Sequence, residues 1–113
     1  MQKEINFSTK LVKFSNSLAV YSAVLNNDME QLTILKASGA DLQAPANMPL
    51  RHAIGKYNLE LVKYLCGNGV NFNIPKNTPI NRAIEIGAED IVSYLLGLGA
   101  KPSPYIWYIN KGE

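Results

Sequence analysis

Residues 78–100 read TPINRAIEIGAEDIVSYLLGLGA, and this stretch decides the fold. Thr78 is a residue type that favours an N-cap, and Pro79 behind it has its ring pre-set for a first helical position. Ile80, Ala83 and Ile84 then recur at helical spacing until Gly87 breaks the pattern. A second apolar stripe, Ile91, Val92, Leu95 and Leu96, predicts a helix from about Glu89 to Leu98. Glu89 and Asp90 put acids in its first turn, where the helix dipole favours them, and Gly99 supplies the positive φ that ends it. The stretch therefore predicts a hairpin of two short helices.

The same arrangement recurs upstream at a period of 30. Gly39, Gly69 and Gly99 share a register, as do Ala23, Ala53 and Ala83, and Leu35, Leu65 and Leu95. Leu32, Val62 and Val92 share another, and so do Ile34, Tyr64 and Tyr94, and the acids Glu30, Glu60 and Asp90. Pro49 and Pro79 match, with Ala19 in the first copy. The middle unit repeats the two stripes as Pro49, Leu50, Ala53 and Ile54, then Leu61, Val62, Leu65 and Cys66, closed by Gly69. A fixed period of this length marks a repeat architecture.

These residues resemble the ankyrin repeat, whose pattern runs Thr-Pro-Leu-His-x-Ala, then Gly, then Ile-Val-x-x-Leu-Leu-x-x-Gly-Ala. The resemblance covers about residues 17–102 and is strongest in the third copy. It implies an all-α solenoid of about three helix-turn-helix repeats. The family period is about 33 residues. Here it is 30, and the deficit falls between the closing Gly and the next Pro, so short turns are expected in place of long β-hairpin fingers. The family histidine is replaced by Tyr21, Arg51 and Asn81, with His52 one place later. Short-period variants are abundant in large DNA viruses, and the resemblance to them points to a viral or phage origin.

Composition agrees with one domain. The chain has 113 residues, 47% apolar and 18% charged, which is too apolar for a disordered tail and too short for two cores. The expected division is a cap segment at 1–16, repeats at 17–46, 47–76 and 77–102, and an aromatic tail at 103–113. A formal charge of +2 is too small to point to nucleic acid or an anionic membrane. One cysteine excludes an intramolecular disulfide framework, and one histidine excludes every two-His metal motif. No apolar run is long enough for a membrane span and no signal peptide is visible, so a cytoplasmic location is expected.

A stack of repeats exposes an apolar flank at each end unless capped. Gln31 and Lys36 stand where later units carry Leu61 and Cys66, then Ile91 and Leu96, so the first unit is expected to present this face to water. Ile5 and Val12 fall in register with Leu35 and Leu42, which suggests that the lead-in covers that unit. The third unit keeps Ile91, Leu95, Leu96 and Leu98 apolar. The tail aromatics Tyr105, Ile106, Trp107 and Tyr108 then serve either as a folded-back lid or as a partner surface, since Trp and Tyr dominate binding hot spots.

In the family, partners bind the concave face. The resemblance carries that role to Gln43, Pro45, Ala46 and Asn47 in the first turn, and to Asn73, Pro75, Lys76 and Asn77 in the second. On the first helices it falls on Tyr21, Arg51, Lys56, Asn81 and Glu85, and before the closing glycines on Ser38, Asn68 and Leu98. Independently, Arg51, Lys56, Lys76 and Arg82 gather in the first-helix layer and turns, while acids concentrate in the second helices. A protein partner with an acidic surface would meet this layer favourably. The bland alternative is ordinary solvated charge.

Sharper chemistry finds little support. His52 has no neighbour that marks it as a general base. Cys66 aligns with Leu96, which suits a buried inert thiol better than a nucleophile. Gly67-Asn68-Gly69 and Gly97-Leu98-Gly99 follow helices, lack a P-loop Lys-Ser/Thr, and are explained as helix stops. The expected function is a non-catalytic protein–protein interaction module without cofactor, acting by occlusion of a partner, for example as a viral or phage inhibitor of a host factor. The alternatives are a dimer held by the aromatic tail and nucleic-acid binding through the basic first-helix layer.

Overall fold

The computed structural model describes residues 15–74 and 76–104. The expected cap contacts of Ile5 and Val12, the whole aromatic tail from Tyr105 onward, and Pro75 lie outside the described residues. Among residues 15–100 six helices follow one another: α1 (residues 15–25), α2 (Met29–Ala37), α3 (Met48–Gly55), α4 (Leu59–Gly67), α5 (Thr78–Glu85) and α6 (Glu89–Gly97). No strand occurs among the described residues. The segments that join one hairpin to the next are short turns, as the missing three residues per repeat require. No helix among the described residues is long and apolar enough to cross a membrane.

Helices of eight or nine residues are not stable alone in water. Their ends are therefore closed with care. Asp28 caps α2 by accepting the Gln31 N–H at 3.0 Å, and Asn58 caps α4 by accepting the Leu61 N–H at 3.1 Å. Asn47 and Asn77, both left-handed, precede α3 and α5. Thr78, read from sequence as the cap, is instead the first helical residue, because Asn77 tolerates the left-handed entry that aims the chain into the helix. The second helices end alike. Gly39, Gly69 and Gly99 have φ near +100°, and the next residue's N–H returns to Leu35, Leu65 or Leu95. This is the double return bond of a helix closed by a left-handed residue.

One core runs through the stack. Val20, Ala23, Val24, Leu32 and Leu35 join Leu50, Ala53, Ile54, Leu61, Val62 and Leu65, then Ile80, Ala83, Ile84, Ile91 and Leu95. The three register leucines thus share one interior. α3 packs on α5, and α4 on α6, so equivalent helices lie side by side. Gln31 and Lys36 are exposed, whereas Leu61 and Ile91 at the first position are buried. Leu96 belongs to the apolar flank read for the third unit. It is exposed, as is Leu98, because α6 turns its Ile91 and Leu95 inward instead.

Polar bonds tie neighbouring units at spacings near the repeat length. Asn58 Nδ2 donates to Asn27 Oδ1 at 3.0 Å, and Tyr57 donates its hydroxyl to the Ile86 carbonyl at 2.9 Å. Thr33 Oγ1 spends its proton on the Met29 carbonyl, so the Tyr64 hydroxyl is the donor in the 2.6 Å bond between them. Lys63 Nζ sits 5.8 Å above the Tyr94 ring, a cation–π distance.

Candidate functional site

α1, α3 and α5 form one layer whose outer side carries the candidate first-helix residues. Tyr21 is 43% exposed, and Arg51, Lys56, Arg82 and Glu85 are exposed as well. Arg51 Nη1 donates to the Ala46 carbonyl at 3.3 Å, which folds the guanidinium back over the turn before α3. Among the described residues no carboxylate pairs with it. Arg82 and Glu85, both candidate binding residues, stand one helical turn apart with Nη1 and Oε1 3.9 Å apart. That pair is about half exposed, so it contributes little stability, but it cancels the positive charge of α5. The basic character of the layer is therefore concentrated on α3.

The turns before α3 and α5 share one construction. Asp41 Oδ1 accepts the Gln43 N–H and Asn71 Oδ1 accepts the Asn73 N–H, each at 2.9 Å. The Gln43 carbonyl then accepts from Asn47 N, and the Asn73 carbonyl from Asn77 N, each at 2.7 Å. Ala46 and Asn47, like Lys76 and Asn77, have positive φ. Local bonds thus replace the long finger, with the Asx side chain holding the start of the turn and two left-handed residues its end.

Several expected binding residues are absorbed by this construction. Asn47, expected on the surface, is only 2% exposed. Its Nδ2 donates to the Asn71 carbonyl at 2.9 Å and the Ile74 carbonyl at 3.0 Å, locking one turn to the next. It is buried because the turn of the following unit covers it. Gln43 is half-buried and accepts the Asn71 N–H at 3.1 Å, and Asn81 is half-buried and accepts the Ser103 N–H at 2.9 Å. Ser38 Oγ and Asn68 Nδ2 donate to the Ile34 and Tyr64 carbonyls, so both close their own second helices. Asn73 and Lys76 are exposed, and Asn77 is half-buried. Tyr105, Trp107 and Tyr108 lie outside the described residues.

A pocket of about 400 Å³ opens between α1 and the turn before α3, lined by Ser17, Leu18, Tyr21, Pro45 and Met48. Its lining is almost wholly apolar. Leu18 and Leu25 are 54% and 51% exposed, and with Tyr21 they form a stripe at i, i+3 and i+7 along α1. Sequence reading missed Leu18, Leu25 and Met48. A signal was present for Leu25, whose matching places hold Gly55 and Glu85, so leucine there is out of pattern; Leu18 matches Met48 and Thr78 and gave a weaker one.

Burial pushes the Cys66 thiol up to about 11, away from the thiolate that a nucleophile needs. Among the described residues no three His, Cys, Asp or Glu side chains gather as metal ligands would.

A family model described as ankyrin repeats, in three copies, matches residues 18–105. No curated protein and no solved structure matches the chain significantly.

Proposed function

The chain belongs to the ankyrin-repeat family, whose members are generally protein-interaction modules, and on that premise we propose that it binds a partner protein without catalysis. The observation that carries this reading is the outer side of the first-helix layer. There an exposed aromatic, Tyr21, and a guanidinium with no carboxylate partner among the described residues, Arg51, occupy equivalent places on neighbouring helices. Tyr and Arg are the residue types that dominate binding energy at protein interfaces. Short helices held by a shared core and by turn-to-turn bonds present that face already ordered, so little conformational entropy is lost on binding. Excess positive charge on α3 favours a partner with an acidic surface. Occlusion of a cytoplasmic host protein, as a viral or phage inhibitor would achieve it, is the form of action we favour.

Affinity capture tests the reading. The intact protein and an Arg51→Glu, Lys76→Glu double variant are immobilised side by side and exposed to lysate. Recovery of one stoichiometric protein by the first and its loss by the second is the expected result. Recovery of no stoichiometric protein by either would overturn the reading.

A further inference from the structure

We propose that the groove between α1 and α3 receives an amphipathic segment of the partner, with a large apolar side chain in the pocket and an acidic side chain on Arg51. The inference rests on the protein-binding reading above and adds the place and the chemistry of the segment. Residues 15–25, SNSLAVYSAVL, carry no charge at all. Their exposed stripe of Leu18, Tyr21 and Leu25 makes one lip of the groove apolar. The 30-residue register sets Met48 beside Leu18, Arg51 beside Tyr21, and Gly55 beside Leu25, with Lys56 next in line. The other lip is therefore basic, and neither helix carries a carboxylate.

Between the lips the groove is open. The pocket of about 400 Å³ has room for a leucine- or phenylalanine-sized side chain. At its edge the Arg51 guanidinium is held over Ala46, the neighbour of the pocket residue Pro45. At the far end, a Cβ added to Gly55 would meet nothing within 4 Å. Asp41 lines an adjoining hollow that shares Ser17 with the pocket, and its Oδ1 already accepts the Gln43 N–H.

Charge selects the occupant. A second copy docked about a two-fold axis would set Arg51 and Lys56 against its own α1 and α3, which offer no acid. Residues 1–14 carry Lys3, Lys10 and Lys13 against a single acid, Glu4, and match a basic lip poorly. A nucleic acid would need cations along both lips to follow its phosphates, and one lip has none. A protein segment with apolar and acidic side chains on its two sides satisfies both lips at once.

The test is selection of random twelve-residue peptides displayed against the full chain, followed by titration of labelled synthetic peptides. Enriched peptides should pair a Leu, Phe, Met or Trp with an Asp or Glu within about four residues, the reach of one helical turn. Leu18→Ser and Arg51→Glu should each weaken binding at least about tenfold, roughly the loss of one good contact. A peptide with Lys in place of its acid should regain affinity for Arg51→Glu. Gly55→Gln should weaken binding while the melting temperature holds or rises, since it fills the groove and improves the helix. Lys36→Glu, on the opposite layer, should change nothing. Selected peptides that bind Leu18→Ser and Arg51→Glu as well as wild type would overturn the groove and leave the protein-binding reading to the capture experiment. A dimer in sedimentation equilibrium that Leu18→Ser converts to monomer would overturn it in favour of a second copy.

Discussion

Asn47 sits in the left-handed region at φ 57°, and its side chain is buried against the next turn with both amide hydrogens given to carbonyls. Replacing Nδ2 by an oxygen would set a carboxylate against two carbonyl oxygens. We expect Asn47→Asp to cost at least about 2 kcal/mol, the scale of an unsatisfied buried group, read as a fall in the denaturation midpoint. Ala46, one residue earlier, also has positive φ but gains nothing from its methyl group there. Ala46→Gly should stabilise by about 0.5–1 kcal/mol, the left-handed strain being partly offset by a freer unfolded chain. Cys66 gives a pH signature. Its thiol is raised to about 11 when folded, from an ordinary value near 9, so the unfolded chain releases the proton first. Its contribution is complete below pH 9 and is lost as pH climbs toward 11. Wild type should therefore lose more stability than Cys66→Ala across that window in urea titrations. Alkylation of the native thiol at pH 8 should be slow compared with the unfolded chain.

At the scale of the element, each helix is too short to persist without its closures and its packed face. The closures differ in kind. α2 and α4 have side-chain caps, while α6 is preceded by Ala88, which is buried and has no cap to give. Glu89 and Asp90 support α6 through the dipole instead. Asn58 has two tasks, capping α4 and donating to Asn27 of the preceding unit. Asn58→Ala should cost about 1–2 kcal/mol, at the upper end for an N-cap, in a thermal or chemical melt. α1 breaks the rule that a solvent-facing helix side is polar: Leu18, Tyr21 and Leu25 face outward. A helix under selection only for solubility would carry charge there, and this is the element-level reason to place a partner against it.

Across the whole molecule, stability is distributed along a line of units, each leaning on its neighbours. The middle unit has a neighbour on both sides. Leu65, fully buried there, should cost about 2–5 kcal/mol as Leu65→Ala. Because both interfaces weaken at once, the urea transition should also broaden, which a fit for the midpoint and slope would detect. The surface reads as a gradient along the same line: apolar on α1, basic on α3, and neutralised on α5 by the Arg82–Glu85 pair. That gradient gives a partner one orientation rather than two.

Periodicity alone determined the helices and the core. Leu35, Leu65 and Leu95, with the alanines at 23, 53 and 83, recur at 30 because each must enter the same interior, and burial of apolar area is a local demand on residue type. The glycines that end the second helices were legible for a similar reason, since positive φ restricts the residue that can stand there. Polar positions were not legible in this way. An asparagine looks alike whether it faces water or a buried backbone group, and Asn47, Gln43 and Asn81 find partners 22 to 28 residues away that only the folded chain brings near. The groove has the same origin. Leu18 and Arg51 lie on separate helices, and only the juxtaposition of α1 with α3 makes an apolar lip and a basic lip of them.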